Sequence, residues 1–236
     1  MSWSPAAWAL TAASALASLS AFPYVATAIT YRRRDNGLAY ILLALGVGVW
    51  NGMAAAQGLS ADPLVGTFFL ALSIVGALLA GLGWFLFAGT ASSTPLVPNQ
   101  RLLYGGAAVL VGLDIVLAVT APVHDFYWVQ ATVVSTPFVS VTPRLGYWLH
   151  TQLLVLLFLA GTVLFASAWR EGIGLPYTRA YTVGGAITVV TILASGVLAP
   201  GGLTVAPLAA AGLATIGWLQ ASRGRVLARL RAAVGR

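Results

Sequence analysis

The sequence predicts an all-α membrane protein, a bundle of seven transmembrane helices with the N-terminus outside the cell and the C-terminus in the cytoplasm. Of its 236 residues, 59% are hydrophobic and only 7% are charged, and the mean hydropathy is +0.91. A soluble domain carries about 25% charged residues. The apolar residues also fall into runs of the length that a helix needs to cross a bilayer, about 20 residues. A chain of this kind belongs in the cell membrane as a multi-pass protein.

The first four spans follow in order from the N-terminus. Span 1, about 6–30, lacks the basic start of a signal peptide, has too long an apolar run, and is followed by the basic turn YRRRDNG, so we expect it to remain in the membrane. Span 2, about 38–58, ends at GLSADP. Span 3, about 64–89, leads into the polar loop ASSTPLVPNQR, and span 4 covers about 102–121.

Three further spans follow a long loop. Span 5 covers about 146–169 and ends at REGIGLPYTR, span 6 covers about 180–199 and ends at the tight turn APGG, and span 7 covers about 203–221. Proline interrupts a helix, so we expect kinks at Pro23 and Pro207. The glycines of stretches such as ALGVGVW and GALLAGLGW are expected to be packing positions, because small residues let helices approach closely in lipid.

Arginine fixes the predicted topology, because the chain contains no lysine. With seven spans, every arginine except one falls on the same side of the membrane: Arg32, Arg33, Arg34, Arg101, Arg170, Arg179, Arg223, Arg225, Arg229, Arg231 and Arg236. Only Arg144 lies opposite. The positive-inside rule places the shared side in the cytoplasm. The net charge of +7 is therefore explained by topology and anionic lipid, and we expect no nucleic-acid partner.

The spans form a predicted domain over residues 1–222, and residues 223–236 form a basic cytoplasmic tail. Leu227, Leu230 and Val234 recur in the tail at helical spacing, with arginines between them. Such a segment either lies on the inner membrane surface or begins a helix that connects to a partner. A solvated basic tail is the alternative.

The loop between spans 4 and 5 has a pattern of its own. FYWVQATVV and FVSVTP alternate and are rich in β-branched residues, with Ser135, Thr136 and Pro137 between them. This pattern predicts a short β-hairpin over the outer mouth of the bundle, with an irregular loop as the alternative.

Asp114 and His150 are the strongest candidates for a functional site. Asp114 lies in span 4, about eight residues before Pro122 and so roughly 12 Å inside the outer end. A carboxylate at that depth is costly unless it is paired, hydrated or protonated. His150 lies at a comparable depth in span 5, and a contact between the two would make a site whose charge depends on pH. The alternatives are a structural hydrogen bond for Asp114 and an interfacial position for His150.

Further candidates surround this pair. His124 and Trp128 lie at the exit of span 4, and Tyr147 and Trp148 lie at the start of span 5. The alternatives are a solvated turn for His124 and an interfacial aromatic belt for the other three. Trp50 and Asn51 lie in the outer half of span 2. These candidates would line a ligand cavity between the helices in the outer leaflet.

Several chemistries are excluded or disfavoured by residue content. Without cysteine there is no disulfide or thiolate site, and without lysine there is no retinal Schiff base. HExxH and GxSxG motifs are absent. Two histidines could ligate a haem, but both lie at the same end of the bundle. We therefore expect no catalytic residue, no metal and no cofactor.

Three stretches resemble the seven-transmembrane N-terminal region of sensor histidine kinases. They are WFLFAGTAS at 84–92, TAPVHDFYW at 120–128 and RLGYWLHTQLLVLLFLAGTVLF at 144–165. That family has a WFLF-type end to span 3, a TNPLH…W-like exit from span 4 and a GPWFWLH-like start of span 5. The Tyr-Arg-Arg-Arg turn after span 1 and Trp50 also fit. The exclusive use of arginine suggests an archaeal source.

The resemblance implies a sensor in a two-component system that transmits a signal through span 7. No phosphoacceptor region or ATP-binding domain follows span 7 in this sequence, so we expect no enzymatic activity from it. We expect a receptor-like domain that recognises a small molecule, a lipid or a proton in an outer pocket. Its expected partners are the bilayer, an unidentified ligand, a cytoplasmic signalling partner bound through the tail, and a second copy in a homodimer. A small transporter and a membrane assembly partner are the alternatives.

Overall fold

The computed structural model describes residues 4–30, 37–60, 62–91, 99–133, 139–172, 177–201 and 204–234. Seven helices occur in these ranges, and they are α1 Pro5–Thr30, α2 Gly37–Leu59, α3 Pro63–Ala91, α4 Gln100–Val119, α5 Leu145–Arg170, α6 Thr178–Leu198 and α7 Ala206–Val234. The first six are long and apolar enough to cross a membrane. The chain is therefore a nearly all-helical, multi-pass membrane protein.

The pair α2 and α3 forms the centre of the bundle, and glycine allows the two backbones to touch. A Cβ on Gly46 would overlap the backbone nitrogen of Ala80, and one on Gly76 would overlap that of Trp50. The third contact is between Gly83 and the backbone of Leu43. In lipid, no hydrophobic force drives helices together, so the association of α2 with α3 depends on such close packing. These contacts confirm the expectation that the three glycines are packing positions.

The remaining helices are arranged around this pair. α1 packs on α2 and α7, α5 packs on α3 and α6, and α7 packs on α6, α2 and α1. The Trp84 indole of α3 donates to the carbonyl of Phe158 in α5 at 3.1 Å. α4 stands at the edge and packs mainly on α3. Most of its surface faces outward, as expected for a helix in contact with lipid.

Helix α7 differs from the predicted seventh span at both ends. It begins at Ala206, so Pro207 is its second residue, a position where proline removes no helical hydrogen bond and causes no kink. It continues through the predicted tail to Val234, and its 29 residues span about 43 Å at 1.5 Å per residue. The tail's contacts with the membrane or a partner remain a prediction.

Three tyrosine hydroxyls form hydrogen bonds that connect the middle of α7 to neighbouring helices. The Tyr40 hydroxyl of α2 donates to the Ala214 carbonyl at 2.6 Å. Tyr24 of α1 is 2.8 Å from the Thr215 hydroxyl, and Tyr181 of α6 donates to Gln220 at 2.9 Å. A displacement of α7 must therefore change its hydrogen bonds to three other helices.

The connection between α4 and α5 covers one end of the bundle. A 3-10 turn at Ala121–Val123 leads into strand β1, Trp128–Val133, which pairs antiparallel with β2, Val139–Pro143. The Val141 amide donates to the Pro200 carbonyl at 3.4 Å, which ties β2 to the turn between α6 and α7. The turn of the predicted hairpin, 134–138, lies outside the described residues, as does the basic turn after α1.

Replacing Gly76 by alanine should destabilise the bundle, because the new methyl group overlaps the backbone of α2. Overpacking of this kind costs about 1–3 kcal/mol. The measurement is the free energy of unfolding of the purified protein in mixed micelles. Gly112→Ala in α4 is the matched control, since a Cβ there meets no neighbouring atom within 4 Å. Equal stability of the two variants would contradict this account of the α2–α3 contact.

Candidate functional site

A cavity of about 90 Å³ lies inside the end of the bundle where the strands and the α6–α7 turn are found. Its walls come from α1, α2, α3, α5, α6 and the start of α7. The lining mixes apolar side chains with polar and aromatic ones, and the latter are Thr11, Ser14, Trp50, Gln57, Ser73, Tyr147, His150, Thr151, Ser195 and Thr204. One water needs about 10–15 Å³ on this measure. The cavity is therefore large enough for a small organic molecule.

A hydrogen-bonded group of three residues stands behind the α5 wall of this cavity. The Nδ1 atom of His150 is 2.9 Å from Oδ2 of Asp114, and the hydroxyl of Tyr127 donates to Oδ1 of the same carboxylate. Asp114 is 9% exposed and His150 is 5% exposed. Both carboxylate oxygens are thus compensated inside an apolar helix bundle, as a buried charge requires. The contact that the similar depths of the two residues make possible is present in the structure.

The connection between α4 and α5 positions the third member of this group. Arg144 and Gly146 donate their backbone amides to the carbonyls of Tyr127 and Phe126, each at 2.9 Å. These bonds fold the chain before β1 back onto the start of α5, and the Tyr127 side chain is fully buried. Burial raises the pKa of the Tyr127 hydroxyl above its ordinary range, and the hydrogen bond to Asp114 raises it further. Tyr127 therefore remains protonated and donates to Asp114.

The orientation of His150 has a chemical consequence. Asp114 occupies Nδ1, which leaves Nε2 as the ring nitrogen for a molecule in the cavity. A carboxylate that holds one nitrogen of an imidazole fixes the orientation of the ring. The group can therefore offer an oriented hydrogen-bonding nitrogen to a ligand.

The polar side chains of the cavity wall differ in their hydrogen bonding. Thr204 donates to Ser195 at 2.6 Å, and Gln57 donates to the Gly201 carbonyl at 2.7 Å, so the α6–α7 turn is fixed from two sides. The hydroxyl of Thr11, by contrast, is buried and has no hydrogen-bond partner among the described residues. Thr11 is 4% exposed.

The structure brings only some of the predicted candidates to the cavity. Trp50, Tyr147 and His150 line it, and Asp114 reaches it through His150. Asn51 is fully buried between α2 and α7, where its amide donates to the Pro207 carbonyl at 2.8 Å.

The other candidates lie away from the lining. Trp148 is 38% exposed on α5, and Trp128 is buried against the ring of Tyr127. His124 bonds locally, with Nε2 at 3.1 Å from the hydroxyl of Thr120. Within the described ranges, no group of three or more His, Cys, Asp or Glu side chains is arranged to hold a metal ion.

Sequence reasoning missed the contributions of α1 and α6. Thr11 and Ser14 are three positions apart in the sequence, which places them on one face of α1. Ser195 and Thr204 flank the α6–α7 turn. A search for hydroxyl residues at helical spacing inside apolar spans would have found the α1 pair.

Comparison with known families identifies a family model that covers most of the chain. A family model described as the N-terminal 7TM region of histidine kinase matches residues 10–228 of this chain. The matched region contains the seven helices and no catalytic domain. A comparison with curated proteins gives no match.

Removing Asp114 should destabilise the protein because it leaves His150 and Tyr127 without their shared partner. Breaking a buried pair costs about 3–5 kcal/mol. Asp114→Ala and His150→Ala should each show a large loss in the free energy of unfolding, and the double variant should lose less than the sum of the two. Asp125→Ala, at an exposed loop position, is the control and should lie within about 0.5 kcal/mol of wild type. Strict additivity of the two losses would show that the residues are not energetically coupled.

Proposed function

This chain belongs to the family of N-terminal 7TM regions of histidine kinases, and from that membership we propose how it acts as a membrane sensor domain. A small molecule binds in the cavity between the helices, contacts Trp50, Tyr147 and His150, and shifts the packing of α7. The helix then reports occupancy to a cytoplasmic signalling partner. Asp114 and Tyr127 act by orienting His150 and do not touch the ligand.

The observation that carries this proposal is the position of His150. It is a buried titratable side chain at the wall of a cavity, and its Nδ1 atom is held by a second helix through Asp114. A ring fixed in this way is suited to recognition, because its free Nε2 atom is held in one orientation toward a ligand. A purely structural pair would not need an adjoining cavity.

Helix α7 supports the proposed transmission. Its first residue, Ala206, lines the cavity together with the preceding Thr204. Asn51 and Gln57 of α2 donate hydrogen bonds to the carbonyls of Pro207 and Gly201, which lie on either side of Ala206 in the sequence. The same helix continues to Val234. A ligand that favours one packing of this segment therefore has a continuous helix through which to shift the equilibrium.

The orientation is part of the proposal. Arg101, Arg170, Arg179 and Arg223 lie at the end of the bundle opposite the cavity, and Arg144 lies at the cavity end. The positive-inside rule then places the cavity outside, under a β-hairpin formed by β1 and β2, and the end of α7 in the cytoplasm. An extracellular or membrane-borne molecule would have access to such a site.

A transporter is the weaker candidate because the other half of the bundle is filled with aromatic rings. Trp84 and Phe87 of α3 pack on Phe165 and Tyr181, and the last two rings are stacked with centroids 4.7 Å apart. A permeation path would need polar groups through this layer. We expect no solute flux in proteoliposomes, and measurable flux would favour the transporter.

Filling the cavity should change the position of the α7 extension. Ala54→Phe places an aromatic ring in the cavity and stands in for a bound ligand. The absence of cysteine allows spin labels at Thr90→Cys and Ala232→Cys without background. We expect the distance distribution between the labels, measured by double electron–electron resonance in nanodiscs, to shift by about 1–2 Å or more.

The control is Ala56→Phe on the same helix, because Ala56 does not line the cavity. It should leave the distribution between the two labels unchanged. If neither variant moves the labels, or if both move them equally, the cavity is not coupled to α7 and the proposed transmission is wrong.

A further inference from the structure

We infer that the ligand of this cavity is an uncharged small molecule that hydrogen-bonds both Thr11 and His150 and so bridges α1 and α5. The inference rests on the proposed sensor function and adds the chemical class of the ligand. It also assigns a binding role to α1, which none of the sequence motifs indicates.

Thr11 supplies the first argument. Thr11 lines the cavity, and its buried hydroxyl lacks a partner among the described residues, whereas other buried threonines bond a carbonyl of their own helix. Thr151 and Thr162 of α5 are examples, at 2.9 and 2.7 Å from the carbonyl four residues earlier. A buried hydroxyl without a hydrogen bond is unfavourable, and such a group calls for a partner that the chain does not provide.

The charge of the lining supplies the second argument. No Arg, Lys, Asp or Glu is among the described residues that line the cavity. The carboxylate nearest to it, Asp114, already accepts from both His150 and Tyr127. An anionic ligand would therefore lack a fixed cation, and a cationic ligand would lack a free carboxylate. An ionised molecule buried without a counter-charge is strongly disfavoured.

The positions of the two polar groups supply the third argument. Thr11 lies on α1, which packs on α2 and α7, and His150 lies on α5, which packs on α3 and α6. Both residues line the same cavity, so one molecule in it can contact α1 and α5 together. A molecule with one apolar body and hydrogen-bonding groups at both ends, such as an alcohol, an amide or a carbonyl compound, satisfies Thr11 and the Nε2 atom of His150 together. Trp50 and Tyr147 provide aromatic surface for the body.

The test uses probes of similar size that carry a polar group at each end and differ in the charge of those groups. The melting temperature of the purified protein is measured with 1,4-benzenedimethanol, terephthalate or p-xylylenediamine, and with 1,6-hexanediol, adipate or 1,6-hexanediamine. The variants are Thr11→Val, which removes the hydroxyl and keeps the shape, and Thr162→Val, the same change at a buried position outside the cavity lining. Comparing the shift in melting temperature of each variant with that of wild type removes the effect of a probe on the micelle.

Without probes, Thr11→Val should raise the melting temperature, because an unpaired buried hydroxyl is removed, and Thr162→Val should lower it, because a hydrogen bond to Phe158 is lost. With the alcohols, wild type and Thr162→Val should gain a few degrees and Thr11→Val should gain less. The carboxylates and amines should give no difference between wild type and Thr11→Val.

Each other outcome overturns the inference. A Thr11-dependent shift with a carboxylate or an amine shows that the ligand class is wrong. Equal shifts in wild type and Thr11→Val, or no shift with any probe, show that Thr11 is not a ligand contact. The label distances in Ala54→Phe are independent of these results, so the proposed transmission through α7 can hold while this inference fails, or fail while it holds.

Discussion

The contact between the backbones of α2 and α3 is the constraint on which the rest of the bundle depends. Gly46, Gly76 and Gly83 remove the side chains that would hold the two helices apart. The residues that flank these contacts then occupy fixed positions, among them Trp50 of α2 on the wall of the cavity. Helices α1, α5 and α7 pack against this pair from outside. The cavity is therefore bounded by a rigid centre and by helices that hold to it mainly through side chains.

The site follows from a second constraint, the cost of a carboxylate among apolar helices. Asp114 lies on α4, the helix with the least contact to the rest, and it reaches the bundle through His150 and Tyr127. Its charge is compensated only while α4, α5 and their connection keep their positions. The same contacts that satisfy Asp114 also orient His150 toward the cavity. In the proposed mechanism, stability and recognition thus depend on the same hydrogen bonds.

The sequence predicts the helices better than it predicts their faces. Hydropathy and the arginine distribution are sufficient for the spans because a bilayer demands long apolar runs. They carry little information on which side of a helix is inside, since lipid and the protein interior are equally apolar. Gly105 and Gly106 of α4 illustrate the difficulty: they resemble packing positions, yet a Cβ on either would meet no neighbour within 4 Å. Trp148 is equally ambiguous, whereas Asp114 and His150 stand out in the sequence as ionisable residues inside apolar spans.

The central claim is that a small molecule occupies the cavity. Native mass spectrometry of the protein, extracted gently from its own membrane, tests this claim most directly, with Ala54→Phe measured in parallel. We predict a stoichiometric adduct of low mass on the wild-type protein and its loss from Ala54→Phe, whose added ring occupies the same space. A wild-type protein without an adduct, or an adduct retained by the filled variant, would contradict the account.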